Sequence, residues 1–347
     1  MNFSIRSVAQ DADGWWDLPT GFANTIADVP GVAVGHTTCL HGAARTGVTT
    51  VIPHNGDLFR YPVPAGFAVL NGFGKSAGLL QLAELGRIET PILLTNTFGV
   101  AACTTALIRR AIEQNPEIGR SRATVNPLVL ECNDGRVNDI QALAVTEAMA
   151  NDAISAASPE FAQGTVGAGT GMRTFGFAGG IGSASRRVAL PSGREHVLGA
   201  LVLSNFGRPG DLRLLGKRVD TPEAGRCDPD DKGSVIVVYA TDAPLDSRQL
   251  TRLSRRAGAA LGRLGSYWGD QSGDIALAFS TANLLSIDSE VVTIERLGEA
   301  RLDPFLCAAV EAAEEAVLNG LWHAESLTGY DGLRLPALRD QFLPRMT

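Results

Sequence analysis

Short apolar runs rich in β-branched residues alternate along the chain with segments of helical periodicity. Runs of this length bounded by turn residues predict buried strands, and they lie at 48–53, 91–95, 128–131, 197–204, 234–240, 275–280 and 290–294. Helices are predicted near 76–85, 101–113 and 139–149, over 246–263 behind an Asp246 cap, and after the Asp303-Pro304 start signal. Strands buried on both faces between helices indicate a layered α/β sandwich.

Charge and residue spacing exclude several classes of protein. A net charge of -7 argues against a general binder of nucleic acid or membrane surfaces, because both need clustered positive charge. The Arg-Arg pairs at 109–110, 186–187 and 255–256 are predicted to be solvated surface. Five scattered cysteines and five histidines without ligand spacing predict neither a disulfide framework nor a metal site. The glycine-rich stretch at 164–182 lacks the spacing of a phosphate-binding loop, so it is interpreted as a tight loop near the substrate pocket.

The chain is expected to form one domain in the cytoplasm. No long Pro-, Ser- or charge-rich linker interrupts the apolar segments, so residues 1–347 are assigned to a single domain. No run approaches 18 uninterrupted apolar residues, which predicts no membrane span. The first residues lack the apolar stretch of a signal peptide, and free thiols fit a reducing compartment.

The most informative segment is Gly233-Ser234, where a polar, Pro-containing loop at 226–232 meets a predicted strand. If the bond between them breaks, the Ser234 hydroxyl stands at the start of a rigid strand beside a new α-amino group. Such an amine has a pKa of about 7.7–8.0 and can accept a proton near neutral pH, so the serine needs no histidine partner. Gly233 tolerates distorted backbone angles and leaves its carbonyl open to attack. By residue type alone, Gly-Ser before a strand is more often an ordinary turn.

Beyond that segment, a series of short motifs covers nearly the whole chain in order. The motifs are PGVAVGH at 30–36, RTGVT at 45–49, LNGFG at 70–74, TNT at 95–97, ECNDGRVND at 131–139, VGAGTG at 166–171, GGIG at 179–182, NFG at 205–207 and GS at 233–234. With these motifs the chain resembles the L-aminopeptidase/D-esterase family, self-cleaving enzymes that include the β-aminopeptidases.

The resemblance implies a nucleophile and its catalytic partners. Ser234, freed by cleavage after Gly233, matches the nucleophile, and Ser272 with Asp274 matches the pair that completes the site. Many β-aminopeptidases carry Glu where this chain has Asp274, which is one methylene shorter. Either the Ser234 amine or the Ser272/Asp274 pair is expected to accept the proton. On residue type alone, Ser272 could be a strand-edge hydroxyl and Asp274 a turn acid.

The resemblance also implies residues that bind the substrate. Asn205 matches an amide donor to the oxyanion, a role worth a factor of roughly 10² to 10³ in rate. Glu131 matches the acid that binds the free amino group of the substrate, because a carboxylate pairs with an ammonium. Asn133 stands where the family commonly has an aromatic residue, which bears on substrate preference, and Lys75 replaces a common acidic residue. Without the family, Glu131 and Asn205 are a local hydrogen-bond acceptor and a turn residue.

These matches imply a self-processing serine aminopeptidase. The expected fold is a four-layer αββα sandwich like that of N-terminal-nucleophile hydrolases, without a cofactor, in a homo-oligomer that is often a tetramer. Cleavage would give an α chain of residues 1–233 and a β chain of residues 234–347. The substrate would be a small peptide, amide or ester with an L-aminoacyl, D-alanyl or β-aminoacyl residue. The alternatives are an acyltransferase of ornithine-acetyltransferase type, which would use Thr at position 234, and a non-catalytic small-molecule-binding protein.

Overall fold

The structure, a computed structural model, describes residues 5–8, 15–222 and 233–342. The predicted loop at 226–232 and Cys227 lie outside these ranges. The described strands are β1 (Ala33–Cys39), β2 (Thr46–Ile52), β3 (Val63–Gly72), β4 (Arg87–Ile88), β5 (Ile92–Asn96), β6 (Leu128–Cys132), β7 (Arg173–Thr174), β8 (Phe177–Ala178), β9 (Gly180–Ala189), β10 (Glu195–Asn205), β11 (Arg213–Leu214), β12 (Lys217–Arg218), β13 (Ser234–Thr241), β14 (Gly273–Ser280), β15 (Leu327–Thr328) and β16 (Arg334–Leu335).

The described helices fall between and after these strands. They are α1 (Ile5–Val8), α2 (Leu79–Leu85), α3 (Val100–Gln114), α4 (Glu147–Ser155), α5 (Ser247–Ser254), α6 (Ala257–Arg263) and α7 (Asp303–His323). Within the described ranges, none of them combines the length and the apolar character that a bilayer crossing requires.

Two mixed sheets organise the α/β fold. One has four strands in the order β1-β2-β5-β6, and the other has six in the order β4-β3-β14-β13-β10-β9. Pairing is antiparallel except between β5 and β6 and between β13 and β14, which are parallel. The parallel pair β13/β14 therefore lies in the middle of the larger sheet, with an antiparallel neighbour on each side.

Strand β13 shows why this sheet is covered on both faces. Its residues are buried throughout, and alternate side chains enter different cores because successive residues of a strand point to opposite faces. Val235 and Val237 join a core that includes apolar residues of α5, α6 and α7. Ile236 and Val238 join a second core that includes Val51, Ile92 and Leu130 of the smaller sheet. A third core packs α3 and α4 against the smaller sheet.

The predicted strands are confirmed with one exception. The apolar run at 290–294 is wrong as a strand: its residues pair with no described strand and Val291 is 83% exposed. Strands β1, β3 and β9 are absent from the predicted set, because glycines and polar residues interrupt their apolar pattern.

The ends of three predicted helices differ in the structure. The Asp246 cap is confirmed, since its carboxylate accepts from the Gln249 main-chain N–H at 2.7 Å. The helix predicted behind it, to residue 263, is divided in the structure into α5, which ends at Ser254, and α6, which ends at Arg263. Helix α4 begins only after Thr146, which caps it, so the predicted start at 139 is wrong. Asp303 is the first residue of α7 rather than its cap.

The prediction of a solvated Arg186 is also wrong. This side chain is fully buried, and it forms ion pairs with Glu311 at 2.8 Å and Glu315 at 2.7 Å of α7. Both indole N–H groups of Trp15 and Trp16 donate to Glu314 of α7 at 3.0 Å. These contacts anchor the amino-terminal segment to the helix that covers the larger sheet.

Candidate active site

Strand pairing brings three predicted site segments to one edge of the larger sheet. Because β13 and β14 are parallel, both begin at this edge, where Ser234 pairs with Gly273. Strand β10 runs the other way, so its last residue, Asn205, lies opposite Ser234. Residues distant in sequence thus surround the start of β13.

The Ser234 hydroxyl faces two hydrogen-bond donors. Its Oγ accepts from the main-chain N–H of Asn133 at 3.3 Å and lies 3.4 Å from the Asn205 side-chain nitrogen. That nitrogen also donates to the Asn133 carbonyl at 2.9 Å, and the Asn205 side-chain oxygen accepts from the Arg173 N–H at 2.9 Å. With its oxygen held by a donor, the amide is oriented so that its NH₂ group faces Ser234.

Gly233 packs closely against neighbouring backbone, and its carbonyl group is polarised by a hydrogen bond. A Cβ built there would lie 2.2 Å from the Asn205 carbonyl oxygen and 2.5 Å from the Phe206 Cα, so no side chain fits. The Gly233 carbonyl oxygen accepts from the Gly273 N–H at 3.2 Å. A hydrogen bond of this kind withdraws electrons from the carbonyl that precedes Ser234.

Ser272 and Asp274 form a hydrogen-bonded pair beside Gly273, the pairing partner of Ser234. The Ser272 hydroxyl donates to the Asp274 carboxylate at 2.7 Å, and both residues are buried. The Asn71 side chain donates to the Ser272 carbonyl, also at 2.7 Å, which ties the LNGFG motif to this pair. A serine that donates to a carboxylate keeps its lone pairs available to accept a hydrogen bond, and a proton taken up there can be balanced by passing the serine hydrogen to the carboxylate.

Glu131 lies at the end of β6 and opens onto a pocket of about 200 Å³. Its carboxylate accepts from the Lys75 main-chain N–H at 2.8 Å and from the Thr97 hydroxyl. The described residues that line the pocket are Phe73, Lys75, Thr97, Glu131, Asn133, Gly233, Ser234 and Gln271. One cavity therefore holds the predicted nucleophile and the predicted acceptor for an ammonium group.

A buried polar network supports the loop behind this pocket. Asp134 accepts from the side chains of Asn96 at 3.2 Å and Asn138 at 3.0 Å. Burial raises the pKa of Asp134 to about 6, against these stabilising hydrogen bonds. Burial likewise raises the pKa of the neighbouring Cys132 thiol, which therefore stays protonated and is a poor nucleophile.

The glycine-rich stretch at 164–182 contributes to the site only indirectly. None of its residues is among the described residues that line the pocket, so the stretch lies behind the site without forming the pocket wall. Its glycines permit close packing instead: a Cβ on Gly167 would lie 2.4 Å from the Thr49 hydroxyl and 2.8 Å from His36 Nδ1. Arg173 reaches the site from this stretch through its main-chain N–H to Asn205.

Several polar contacts at the site have no signal in residue type. The main-chain N–H groups of Asn133, Arg173 and Gly273 are donors, and every non-proline residue carries such a group. Thr97 stood in the TNT motif without an assigned role, and the motif is the signal that marks it. Across the described ranges, no group of three His, Cys, Asp or Glu side chains is placed to hold a metal ion.

Comparison with known proteins gives consistent matches over almost the full chain. Peptidase family S58 matches residues 24–335. The beta-peptidyl aminopeptidase BapA of Sphingosinicella microcystinivorans is 38% identical over 346 residues, covering 92% of this chain and 86% of that protein. The structure of the PH0078 protein of Pyrococcus horikoshii OT3 superposes with a TM-score of 0.89 at 42% identity, covering 95% of this chain and 97% of the other.

A further solved structure is that of the L-aminopeptidase D-Ala-esterase/amidase of Ochrobactrum anthropi. It has a TM-score of 0.85 at 35% identity and covers 94% of each chain. That protein is described as a prototype of the serine aminopeptidases and as a new variant of the Ntn hydrolase fold.

Proposed function

Because the chain belongs to peptidase family S58 and is a serine aminopeptidase, we propose that it cuts itself before Ser234 and then uses Ser234 as its nucleophile. The observation that carries this proposal is the pocket shared by Ser234 and Glu131. A nucleophile and an ammonium acceptor in one small cavity suit a substrate cleaved next to its free amino group.

Self-cleavage would begin with attack of the Ser234 Oγ on the Gly233 carbonyl carbon. The C–N bond breaks, the Ser234 nitrogen gains a proton, and an ester joins Gly233 to the Ser234 Oγ. Water then hydrolyses the ester and leaves a carboxylate on Gly233. The Gly273 N–H supports the first step, because it lies where negative charge develops on the carbonyl oxygen.

The groups that could accept the proton differ between the two reactions. Before cleavage the Ser234 nitrogen belongs to a peptide bond and is not basic, so we assign the proton to the Ser272/Asp274 pair, which flanks the pairing partner of Ser234. After cleavage the same nitrogen is a free amine with a pKa near 8 and can serve as the base for hydrolysis. In this scheme the pair serves self-cleavage, and either group serves hydrolysis.

In hydrolysis, Glu131 would hold the substrate ammonium while Ser234 attacks the carbonyl of the same residue. The Asn205 amide and the Asn133 N–H would donate to the oxyanion, because both lie within 3.4 Å of the Ser234 Oγ and the oxyanion forms on the carbon bonded to that oxygen. The leaving amine departs, and water releases the amino-terminal residue from the acyl-enzyme. The names of the relatives favour β-aminoacyl, L-aminoacyl and D-alanyl substrates.

The chain is further proposed to be a single domain with four layers in the order helix, sheet, sheet, helix. The three core clusters support this order, since one lies between α5–α7 and the larger sheet, one between the sheets, and one under α3 and α4. Cleavage would leave an α chain of 1–233 and a β chain of 234–347, associated in a cytoplasmic homo-oligomer such as a tetramer.

Hydrolysis of aminoacyl p-nitroanilides tests the proposed activity against the two alternatives. Alanyl and β-alanyl p-nitroanilides should be cleaved, and their N-acetylated forms should be cleaved far more slowly. Acyl transfer predicts that added amino acids raise the turnover of these substrates, whereas a hydrolase should not respond. An intact chain without activity on any of them would favour the non-catalytic alternative.

Asn205→Ala should lower kcat by a factor of roughly 10² to 10³ with a small change in KM, because one donor to the oxyanion is lost. Steady-state kinetics on alanyl p-nitroanilide measures both constants. Asn205→Asp is the matched control, since its carboxylate can still accept from the Arg173 N–H but cannot donate. Retention of wild-type kcat by the Asp variant would contradict the donor role.

A further inference from the structure

One basic side chain, that of Lys75, belongs to the described lining of the proposed substrate pocket. Among the described residues that line it, Lys75 is the one base and Glu131 the one acid. The two are linked, because the Glu131 carboxylate accepts from the Lys75 main-chain N–H at 2.8 Å. The Lys75 side chain therefore starts from the wall that holds the proposed ammonium acceptor.

The Lys75 side chain is exposed, and its ammonium contacts an aromatic ring of the pocket lining. The ammonium lies 3.8 Å from the centroid of the Phe73 ring, which also lines the pocket. A cation over an aromatic face is stabilised without losing its charge. Within the described ranges no carboxylate forms a salt bridge with Lys75.

This arrangement has a consequence for substrates that carry a free ammonium. Glu131 attracts the ammonium, and Lys75 repels it from the same cavity. A second charge on the substrate, negative and on the released residue, would satisfy Lys75 and remove the penalty. Gln271 and Asn133, which also line the pocket, have neutral side chains. The carboxylate that the proposed cleavage leaves on Gly233 would be the anion that a substrate carboxylate has to compete with.

We propose that Lys75 selects substrates whose released residue bears a free carboxylate as well as a free amine. This inference rests on the proposed aminopeptidase function and names the class of substrate. Aspartyl residues linked through either carboxyl have the required chemistry. In the β-linked form the ammonium and the carboxylate stand on one carbon, which matches an anion and a cation on the same wall.

The experiment compares aspartyl with asparaginyl p-nitroanilide, which have nearly the same shape and differ in charge. The wild type should show the higher kcat/KM on the aspartyl substrate, by about tenfold at low salt, and the ratio should fall as salt is added. Lys75→Gln should bring the ratio to about one, Lys75→Glu should invert it, and Lys75→Arg should retain it. Separate α-linked and β-linked aspartyl substrates identify the preferred linkage.

The readout is a ratio within one variant, so a general loss of activity cancels. If the wild type cleaves neutral aminoacyl substrates but its aspartyl-to-asparaginyl ratio is unchanged in Lys75→Gln and Lys75→Glu, the inference about Lys75 is overturned and the proposed function stands. If the wild type cleaves no free-amine substrate, the proposed function itself fails.

Discussion

Ser234→Ala is expected to yield one intact chain of 347 residues, where the wild type should yield the proposed fragments 1–233 and 234–347. The substitution removes the Oγ that is proposed to attack the Gly233 carbonyl, and it leaves Gly233 and the Gly273 N–H in place. The same oxygen is the proposed nucleophile of hydrolysis, so kcat should fall by a factor on the order of 10⁶. Intact mass of the purified proteins and p-nitroanilide release measure the two effects.

Ser234→Cys is the matched control for this experiment. A thiol is a nucleophile of similar size, so this variant should still divide between positions 233 and 234, at a different rate. Division of the Ala variant at that bond would show that another group attacks it. The assignment of Ser234 would then be wrong.

Glu131→Gln should lower kcat/KM for free-amine substrates by about 10²-fold, since a buried charge pair truncated on one side typically costs about 3 kcal/mol. Glutamine can keep the existing contacts, with its oxygen accepting from the Lys75 N–H and its NH₂ group donating to the Thr97 hydroxyl. The change is therefore one of charge. The measurement is the ratio of kcat/KM for alanyl and N-acetylalanyl p-nitroanilide.

Two control measurements test whether Glu131→Gln affects only the binding of the substrate amine. The variant should still appear as two fragments by mass, because no step of the proposed self-cleavage uses Glu131. Its activity on the acetylated substrate should stay near the low wild-type value. A variant that discriminates between the two substrates as strongly as the wild type would show that Glu131 does not bind the amine.

The hydrophobic pattern of the sequence predicted strands correctly where a strand is apolar throughout. It failed where contacts between distant residues determine which side chains are buried. Strands β10 and β13 are buried along most of their length and were predicted within a few residues. Strand β9 contains an arginine whose charge is neutralised by two glutamates more than 120 residues away, so sequence alone predicted Arg186 at the surface. The run at 290–294 has strand composition but no described strand beside it.

Some groups of the candidate site could be predicted from the sequence and others could not. Side chains with distinctive chemistry, such as Ser234, Glu131 and Asn205, were found through family motifs, and the fold brings them together. The main-chain donors of Asn133 and Gly273 could not be predicted, because only strand pairing and loop geometry select one N–H among hundreds. The volume of the pocket is likewise a property of the packed sheets.

Strands β13 and β14, which follow Gly233 in the chain, lie between β3 and β10, which precede it. The polypeptide after Gly233 is therefore hydrogen-bonded on both sides to strands that come before Gly233. A cut at this position would create a new chain end, but neither fragment would be an independently folded unit. The two pieces could part only by tearing open the middle of a sheet, and neither would keep a complete core. Refolding from denaturant would be unimolecular for the uncut chain. For the cut protein it would require association of two fragments, so its rate would depend on their concentration. The fold would therefore form before cleavage, and the cut protein would depend on the two fragments remaining associated.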